Sequence, residues 1–352
     1  MLFVSTKDAR TWKGVLTMLF GYEKENLITL PTPVQRLNAI SELTGCDCWI
    51  KRDDLTDWGM GGNKLRKLEY LLWDARRQGA TALLTYGGAQ TNHGRLTAAV
   101  AARYGMKCAI LCPDKHPDQV NGNILLDRIM GAEVYVQDGG DIKELSRKVI
   151  AQYEAAGEKV YEIPVGGSNT VGLRGYFACA RELKDQLDGL GWTPDYIVCA
   201  AGSLGTYLGL WMGAKHYGLS GDVTGVAISP WGPEKEKRLM EYYAQGCQEF
   251  GLPQLAGRED FHIETGYVGE GYNSVDARAR QAIYTMGRKE AILLDPCYTG
   301  KAFGGLLDMM ETGKIPKGSR TLFLHTGGTP ALYNPKHQQA LEAELKDGLR
   351  LV

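Results

Sequence analysis

The sequence predicts an α/β fold built on open, twisted, mostly parallel sheets and arranged as two αβα domains with no linker between them. Three observations carry that expectation. Short apolar runs alternate with longer helical patterns along most of the chain, which is how βα units and parallel sheets read. Glycine-rich polar loops follow several of those runs and open the next helical pattern. With 352 residues there is enough chain for two domains or one large α/β unit, and no need of a disulfide or metal staple.

The elements follow in order. Leu65, Leu68, Leu71, Leu72 and Ala75 fall at helical spacing, with Arg66, Lys67, Glu69, Arg76 and Arg77 between them. TALLTY (81–86) reads as a strand, and after a Gly-rich turn a helix runs through LTAAVAARYG. MKCAIL, a helix near 123–130, AEVYV, a helix from Ile142 and KVYEIP continue the alternation. Beyond VGGSNTVG (165–172) come a helix near 176–187, YIVCAA, a helix from Thr206 and TGVAIS. A long charged helix from Pro233, a helix near 274–286, the run AILLD, a helix from Lys301 and TLFLH complete the pattern. No internal repeat, low-complexity tract or Pro-rich linker interrupts it.

Composition excludes several function classes. Hydrophobic residues make up 44% and charged residues 23%, near a soluble globular average. Forty Lys and Arg against forty-one Asp and Glu leave a formal charge of −1, which argues against a nucleic-acid-binding surface. No apolar run approaches the ~20 residues of a membrane span. The opening MLFVSTKDARTWKG places charges where a signal peptide keeps its apolar core. A soluble, cytoplasmic protein is expected. Its eight cysteines show no repeated C-x-x-C, and its six histidines form no H-x-x-x-H pair, so no bound metal is expected. Cys108 and Cys199, inside MKCAIL and YIVCAA, read as buried.

The glycine-rich loops carry the chemistry. In Gly61-Gly62-Asn63-Lys64 the paired glycines allow positive φ or close approach to a ligand, and Lys64 sits at the mouth of a helix. A lysine held in a partly desolvated site has its pKa pulled down and becomes a Schiff-base nucleophile or a base. Lys67 shares its helix face. The plainer alternative is a turn followed by surface lysines. Gly202-Ser203-Leu204-Gly205-Thr206 lies between the strand YIVCAA and a helix, an arrangement that binds phosphate or is simply a structural turn. Its spacing matches neither the dinucleotide nor the nucleoside-triphosphatase motif. His325-Thr326-Gly327-Gly328-Thr329-Pro330 follows the strand TLFLH, and Ala89-Gln90-Thr91-Asn92-His93 follows another strand end. Thr91 or Asn92 as a helix N-cap, and His93 as a packing residue, are ordinary readings of the latter. Ligands of open α/β sheets collect at the carboxyl ends of strands, so these loops together describe a small-molecule site.

With these loops in hand, the chain resembles the fold-type-II pyridoxal-phosphate enzymes, of tryptophan synthase β-like fold. Within them it is most similar to the D-cysteine desulfhydrase and 1-aminocyclopropane-1-carboxylate deaminase family. The likeness is carried by KRDDLTDWGMGGNKLRKLEYL (51–71), GGAQTNHGRLTAAVAARYG (87–105), IPVGGSNTVGLRGY (163–176), AGSLGTYLGL (201–210), LLDPCYTGKAFGGL (293–306) and LFLHTGGTPALY (322–333). It implies pyridoxal 5'-phosphate as cofactor, attached at Lys64, which also shuttles the substrate's Cα proton. It implies that Gly202, Ser203, Leu204, Gly205 and Thr206 grip the phosphate with Lys67 as a charged supplement. Asn92 would bond the ring hydroxyl and Thr326 the pyridine nitrogen, where a neutral partner restrains transamination. Thr91, with Gln90 and His93, falls where the family holds the substrate carboxylate, and Tyr298 and Thr299 sit at the substrate.

The same resemblance implies a large cofactor-binding domain of residues 1–66 and 176–352, a smaller inserted α/β domain of 67–175, and a homodimer. Deaminases of the cyclopropane acid carry Glu after the tyrosine, where this chain has Thr299. Ring opening needs charged help, whereas a thiolate leaves readily, its conjugate acid having a pKa of about 8.5. The expected reaction is therefore β-elimination, D-cysteine to pyruvate, sulfide and ammonia. The alternatives are an L-cysteate sulfo-lyase, the cyclopropane-acid deaminase and a 2,3-diaminopropionate ammonia-lyase. Thr91 departs from the family's usual Ser. The first ~27 residues have no counterpart in the likeness and are expected to add a helix or a subunit contact.

Overall fold

The computed structural model describes residues 18–115, 119–348 and 350. Residues 1–17, which hold most of the expected N-terminal addition, lie outside the described residues. The strands are β1 (Val34–Arg36), β2 (Asp47–Arg52), β3 (Ala82–Tyr86), β4 (Lys107–Cys112), β5 (Glu133–Val136), β6 (Val160–Ile163), β7 (Tyr196–Ala201), β8 (Asp222–Ala227), β9 (His262–Glu264) and β10 (Arg320–His325). The α-helices are α1 (Asn38–Thr44), α2 (Lys64–Arg77), α3 (Asn92–Arg103), α4 (Gly122–Ile129), α5 (Ile142–Ala155), α6 (Thr170–Leu190), α7 (Gly205–Tyr217), α8 (Pro233–Phe250), α9 (Ala277–Glu290), α10 (Thr299–Glu311) and α11 (Pro335–Leu345). No helix among the described residues is long and apolar enough to cross a membrane.

Two sheets result. Strands β1-β2-β10-β7-β8-β9 make one, and β5-β4-β3-β6 the other. Every pairing is parallel except β1 with β2. The order of strands positions the site. In the larger sheet the chain steps from β7 to β8 and β9 on one side, then returns to place β10 on the other side of β7. In the smaller sheet it steps from β3 to β4 and β5, then returns to place β6 beside β3. Connections that leave in opposite directions open a crevice at the strand ends, where ligands of such sheets bind. The loops after β3, β7 and β10 are the glycine-rich loops singled out above.

Helix α2 bears out the apolar face read from its spacing, since Leu65, Leu68, Leu71, Leu72 and Ala75 are all 0% exposed. Its other face is not solvated, however. Arg66, Lys67 and Glu69 are buried too, because α6, the loop at 166–168 and the segment before β1 cover them. Arg66 donates to Asp53 Oδ2 at 2.7 Å and to Glu182 Oε2 at 2.8 Å. Lys51 donates to Glu182 Oε1 at 2.5 Å, and Tyr176 to Asp53 Oδ2 at 2.5 Å. Glu69 accepts from Lys24 at 2.6 Å and from the Leu27 N–H at 3.0 Å, pinning residues 24–27 onto the helix. Helices α6 and α7 pack closely because Gly209 and Gly213 lack side chains. A Cβ on Gly209 would stand 2.7 Å from the Leu173 carbonyl, and one on Gly213 2.6 Å from that of Phe177.

One sequence expectation fails, and one helix starts earlier than expected. The run AILLD (291–295) forms no strand. It alternates exposed Leu293 with buried Ile292 and Leu294, as a strand would, but it joins neither sheet; the Leu293 carbonyl accepts from the Nε2 of His325, a β10 side chain, at 3.1 Å. The helix expected near 176 begins at Thr170, where Asn169 caps it by accepting the Gly172 N–H at 2.9 Å. Cys108 and Cys199 are buried as expected, and all eight cysteines are free.

Candidate active site

One cavity lies where the loops converge. Asn63, Lys64, Gly87, Gly88, Thr91, Asn92, His93, Gly202, Ser203, Leu204, Thr206, Tyr298, Thr326 and Gly327 line it, and so do Ser229, Arg238 and Tyr272. Lys64 opens α2 directly after the paired glycines. Gly61 holds φ +67°, and a Cβ there would fall 2.4 Å from the Asp54 carbonyl, so the tight turn that presents Lys64 tolerates only glycine. The Asn63 N–H donates to the Thr326 carbonyl at 3.0 Å, tying this loop to the one after β10. Lys64 Nζ donates to Asn63 Oδ1 at 3.0 Å. Burial holds its pKa down to about 8, with Arg95 acting in the same direction and Asp295 opposing. That amine is a usable nucleophile or base near neutral pH.

The loop between β7 and α7 makes an anion cradle. Leu204 adopts φ +71°, and no side chain caps the first turn of α7, so its leading N–H groups face the cavity without an intrahelical partner. Thr206 accepts from Asn63 Nδ2 at 2.8 Å, and Ser203 from Ser168 at 2.8 Å. Lys67 and Gly205 stand behind this wall rather than on it. Lys67 Nζ donates to the Gly166 carbonyl at 3.0 Å, and a Cβ on Gly205 would lie 2.7 Å from that Nζ. Burial, then the charges of Lys64 and Arg238, holds the Lys67 amine well below its ordinary value. Among the described residues lining the cavity none is acidic, so these cations lack a counter-ion there.

The loop after β3 supplies hydrogen-bonding groups. Thr91 is the N-cap of α3 and accepts the Gly94 N–H at 3.1 Å, which leaves its hydroxyl proton free to donate into the cavity. Asn92 Oδ1 accepts from Asn123 Nδ2 at 2.9 Å, so its own amide NH₂ remains to donate. His93 is buried, with neither ring nitrogen hydrogen-bonded. Burial, then Lys64 and Lys67, keeps its pKa well below the ordinary value, and the ring is neutral. Gln90 is not brought to the cavity: its amide accepts the Asn123 N–H at 2.8 Å and donates to Asn121, fastening the loop to α4.

Beside Gly202, on the wall of the same cavity, the Tyr298 hydroxyl meets that of Tyr272 at 2.7 Å. Thr299 does not share this wall. It is 0% exposed, and its hydroxyl donates to Asp295 Oδ1 at 2.7 Å while accepting the Asp295 N–H at 2.8 Å. Asp295 also accepts the N–H groups of Cys297, Tyr298 and Thr299. The expected contact of Thr299 with substrate is thereby corrected: the first turn of α10 needs the hydroxyl inside. Tyr272, Asn63, Ser229 and Arg238 escaped the sequence reading. Tyr272 lies in an irregular loop held from below by Lys301, which donates to the carbonyls of Val268 at 2.8 Å and Gly271 at 2.5 Å; no periodicity marks such a position.

These features fit pyridoxal 5'-phosphate. The uncapped start of α7 with Lys67 behind it suits a dianionic phosphate, Lys64 an aldehyde, and the free Asn92 amide a ring oxygen. The unpartnered His93 ring and the Thr326 side chain complete a polar wall for the rest of such a ligand. Comparison with known proteins agrees. The family model of pyridoxal-phosphate dependent enzymes matches residues 26–327. The chain is 38% identical over 321 residues to the D-cysteine desulfhydrase of Yersinia enterocolitica, covering 90% of this chain and 96% of that one. It is 37% identical over 327 residues to the 1-aminocyclopropane-1-carboxylate deaminase of Methylobacterium sp. strain 4-46, covering 90% and 97%. The crystal structure of a protein described as an ACC deaminase homologue superposes with a TM-score of 0.82 at 35% identity, covering 92% of this chain and 96% of the other. The chain belongs to the pyridoxal-phosphate dependent enzymes, and pyridoxal 5'-phosphate is its cofactor.

Proposed function

We propose that the protein is a lyase that removes a β-substituent from a small amino acid, with D-cysteine as substrate and pyruvate, hydrogen sulfide and ammonia as products. The observation that carries this reading is the cavity wall itself, which offers the depressed amine of Lys64 and no carboxylate. One base suffices when the leaving group needs no protonation, and a thiolate is such a group. The bound cofactor supplies an electron sink that acidifies the hydrogen on the substrate's α-carbon. Lys64 Nζ takes that proton. The electron pair left behind expels sulfide from the β-carbon, and water then releases pyruvate and ammonia.

The other residues bind and orient. The start of α7, with Lys67, holds the phosphate, while Asn92 and Thr326 fix the ring. Thr91, backed by Gln90 and His93, holds the substrate carboxylate. Tyr298, braced by Tyr272, faces the departing group. Residue 299 acts on this site through Asp295 and the start of α10, not by touching substrate. In the same reading, residues 67–175 form a smaller domain inserted into a larger one made by the chain before and after it. The four strands of the smaller sheet, all within 82–163, support that division. A homodimer in the cytoplasm is part of the reading and rests on family likeness.

The test is keto-acid release by the cofactor-loaded protein on D-cysteine, L-cysteate and the cyclopropane acid in parallel. Pyruvate with sulfide from D-cysteine alone is expected. Oxobutyrate from the cyclopropane acid would overturn the inference drawn from the missing carboxylate.

A further inference from the structure

Arg238 has no assigned task. It lies on α8, exposed to solvent, and lines the same cavity as Lys64. No hydrogen bond or ion pair holds its guanidinium among the described residues. Its neighbours on α8 bracket its position. Three residues before it, Lys235 reaches Ser229, itself on the cavity wall. Four residues after it, Tyr242 donates to the Asn169 carbonyl at 2.8 Å and stands 3.1 Å from where a Cβ of Gly205 would be. Residues three and four apart share a helix face. This face of α8 therefore runs along the rim from Ser229 to the start of α7, with Arg238 between the two. The same point over Gly205 is 2.7 Å from Lys67 Nζ, so a buried amine lies below the cradle and an unpaired guanidinium beside its rim. The charge of Arg238 is also among the causes that depress Lys67.

We propose that Arg238 is a further binding residue for the cofactor's phosphate, a guanidinium at the rim that engages the anion seated on the start of α7. The inference rests on the reading of that helix start as the phosphate cradle. An anion seated on the cradle would meet the Lys67 amine from behind the wall and the Arg238 guanidinium from the cavity side, and guanidinium suits phosphate oxygens because it donates two parallel hydrogen bonds. Being solvent-exposed, Arg238 contributes modestly and in a salt-dependent way.

The experiment measures equilibrium binding of pyridoxal 5'-phosphate, and of pyridoxal without the phosphate, to cofactor-stripped protein by absorbance titration. Arg238→Ala is compared with wild type, with Arg238→Lys, and with Lys237→Ala, which removes an equal charge from the solvent side of α8. Arg238→Ala should weaken binding of the phosphate form by about three- to tenfold, leave pyridoxal within about twofold, and lose part of the salt dependence. Arg238→Lys should recover most of the loss, and Lys237→Ala should match wild type. Arg238→Ala that retains the wild-type preference for the phosphate form overturns the proposal alone. So does equal weakening for both ligands. Wild type that binds pyridoxal as tightly as its phosphate would overturn the cradle reading, and this proposal with it.

Discussion

The hydroxyls of Tyr272 and Tyr298 lie 2.7 Å apart in the cavity that Lys64 also lines. The two residues reach that contact from different elements, one from a loop gripped by Lys301 and the other from the residue capping α10. Burial pushes both phenols above their ordinary pKa, so the pair is neutral and shares one hydrogen bond. Each single change to Phe should lower kcat/KM by about tenfold, and the double variant should lose little more than either single one. Strictly additive losses in that double-mutant cycle would show that the hydroxyls act separately.

Lys64 sets a pH dependence for cofactor capture. Only the free amine attacks an aldehyde, and the ammonium form gives way to it as pH rises through about 8. The rate at which stripped protein couples to pyridoxal should climb from pH 6.5 to about 8.5 and then level off. An ordinary lysine would still be gaining at pH 10. Stopped-flow absorbance across that range decides between the two.

Acid should loosen the fold through the ions under α2. Burial alone would raise the pKa of Asp53 and of Glu182, but Arg66, with Lys51, brings each down to about 2. Their folded pKa values thus lie below the unfolded ones near 4. The stability they contribute is complete above about pH 4 and is lost as pH falls towards 2. Asp53→Asn, which leaves the buried Arg66 short of a partner, should cost about 3 kcal/mol at pH 7. It should also flatten the loss between pH 4 and 2, as urea unfolding at several pH values would reveal.

Thr299 should behave as part of a turn. Thr299→Ser keeps both hydrogen bonds to Asp295 and should retain substrate preference and most activity. Thr299→Val leaves a buried carboxylate oxygen without its hydroxyl donor and should cost about 1–3 kcal/mol of stability. A Ser variant with a changed substrate range, assayed on the three acids above, would put the residue back at the substrate.

Local sequence determined much of this protein. The period of Leu65, Leu68, Leu71, Leu72 and Ala75 placed α2, and Gly61 and Gly62 before Lys64 announced a backbone turn that presents an amine. Alternating runs and helices foretold parallel strands, because a parallel pair needs a crossover between its members. The glycine loops at strand ends foretold a ligand site for the same topological reason. Tertiary structure decided the rest. Periodicity identifies an apolar face but cannot say whether the polar face meets water, so Arg66 turned out to be buried against Glu182, a partner far along the chain. AILLD has a strand's alternation but pairs with no strand. Thr299 points inward because Asp295 gathers the N–H groups of its turn, and Tyr272 and Arg238 reach the cavity from segments with no local signature. Such placements depend on which distant groups satisfy a buried charge or an unpaired backbone atom, and that choice exists only once the chain has folded.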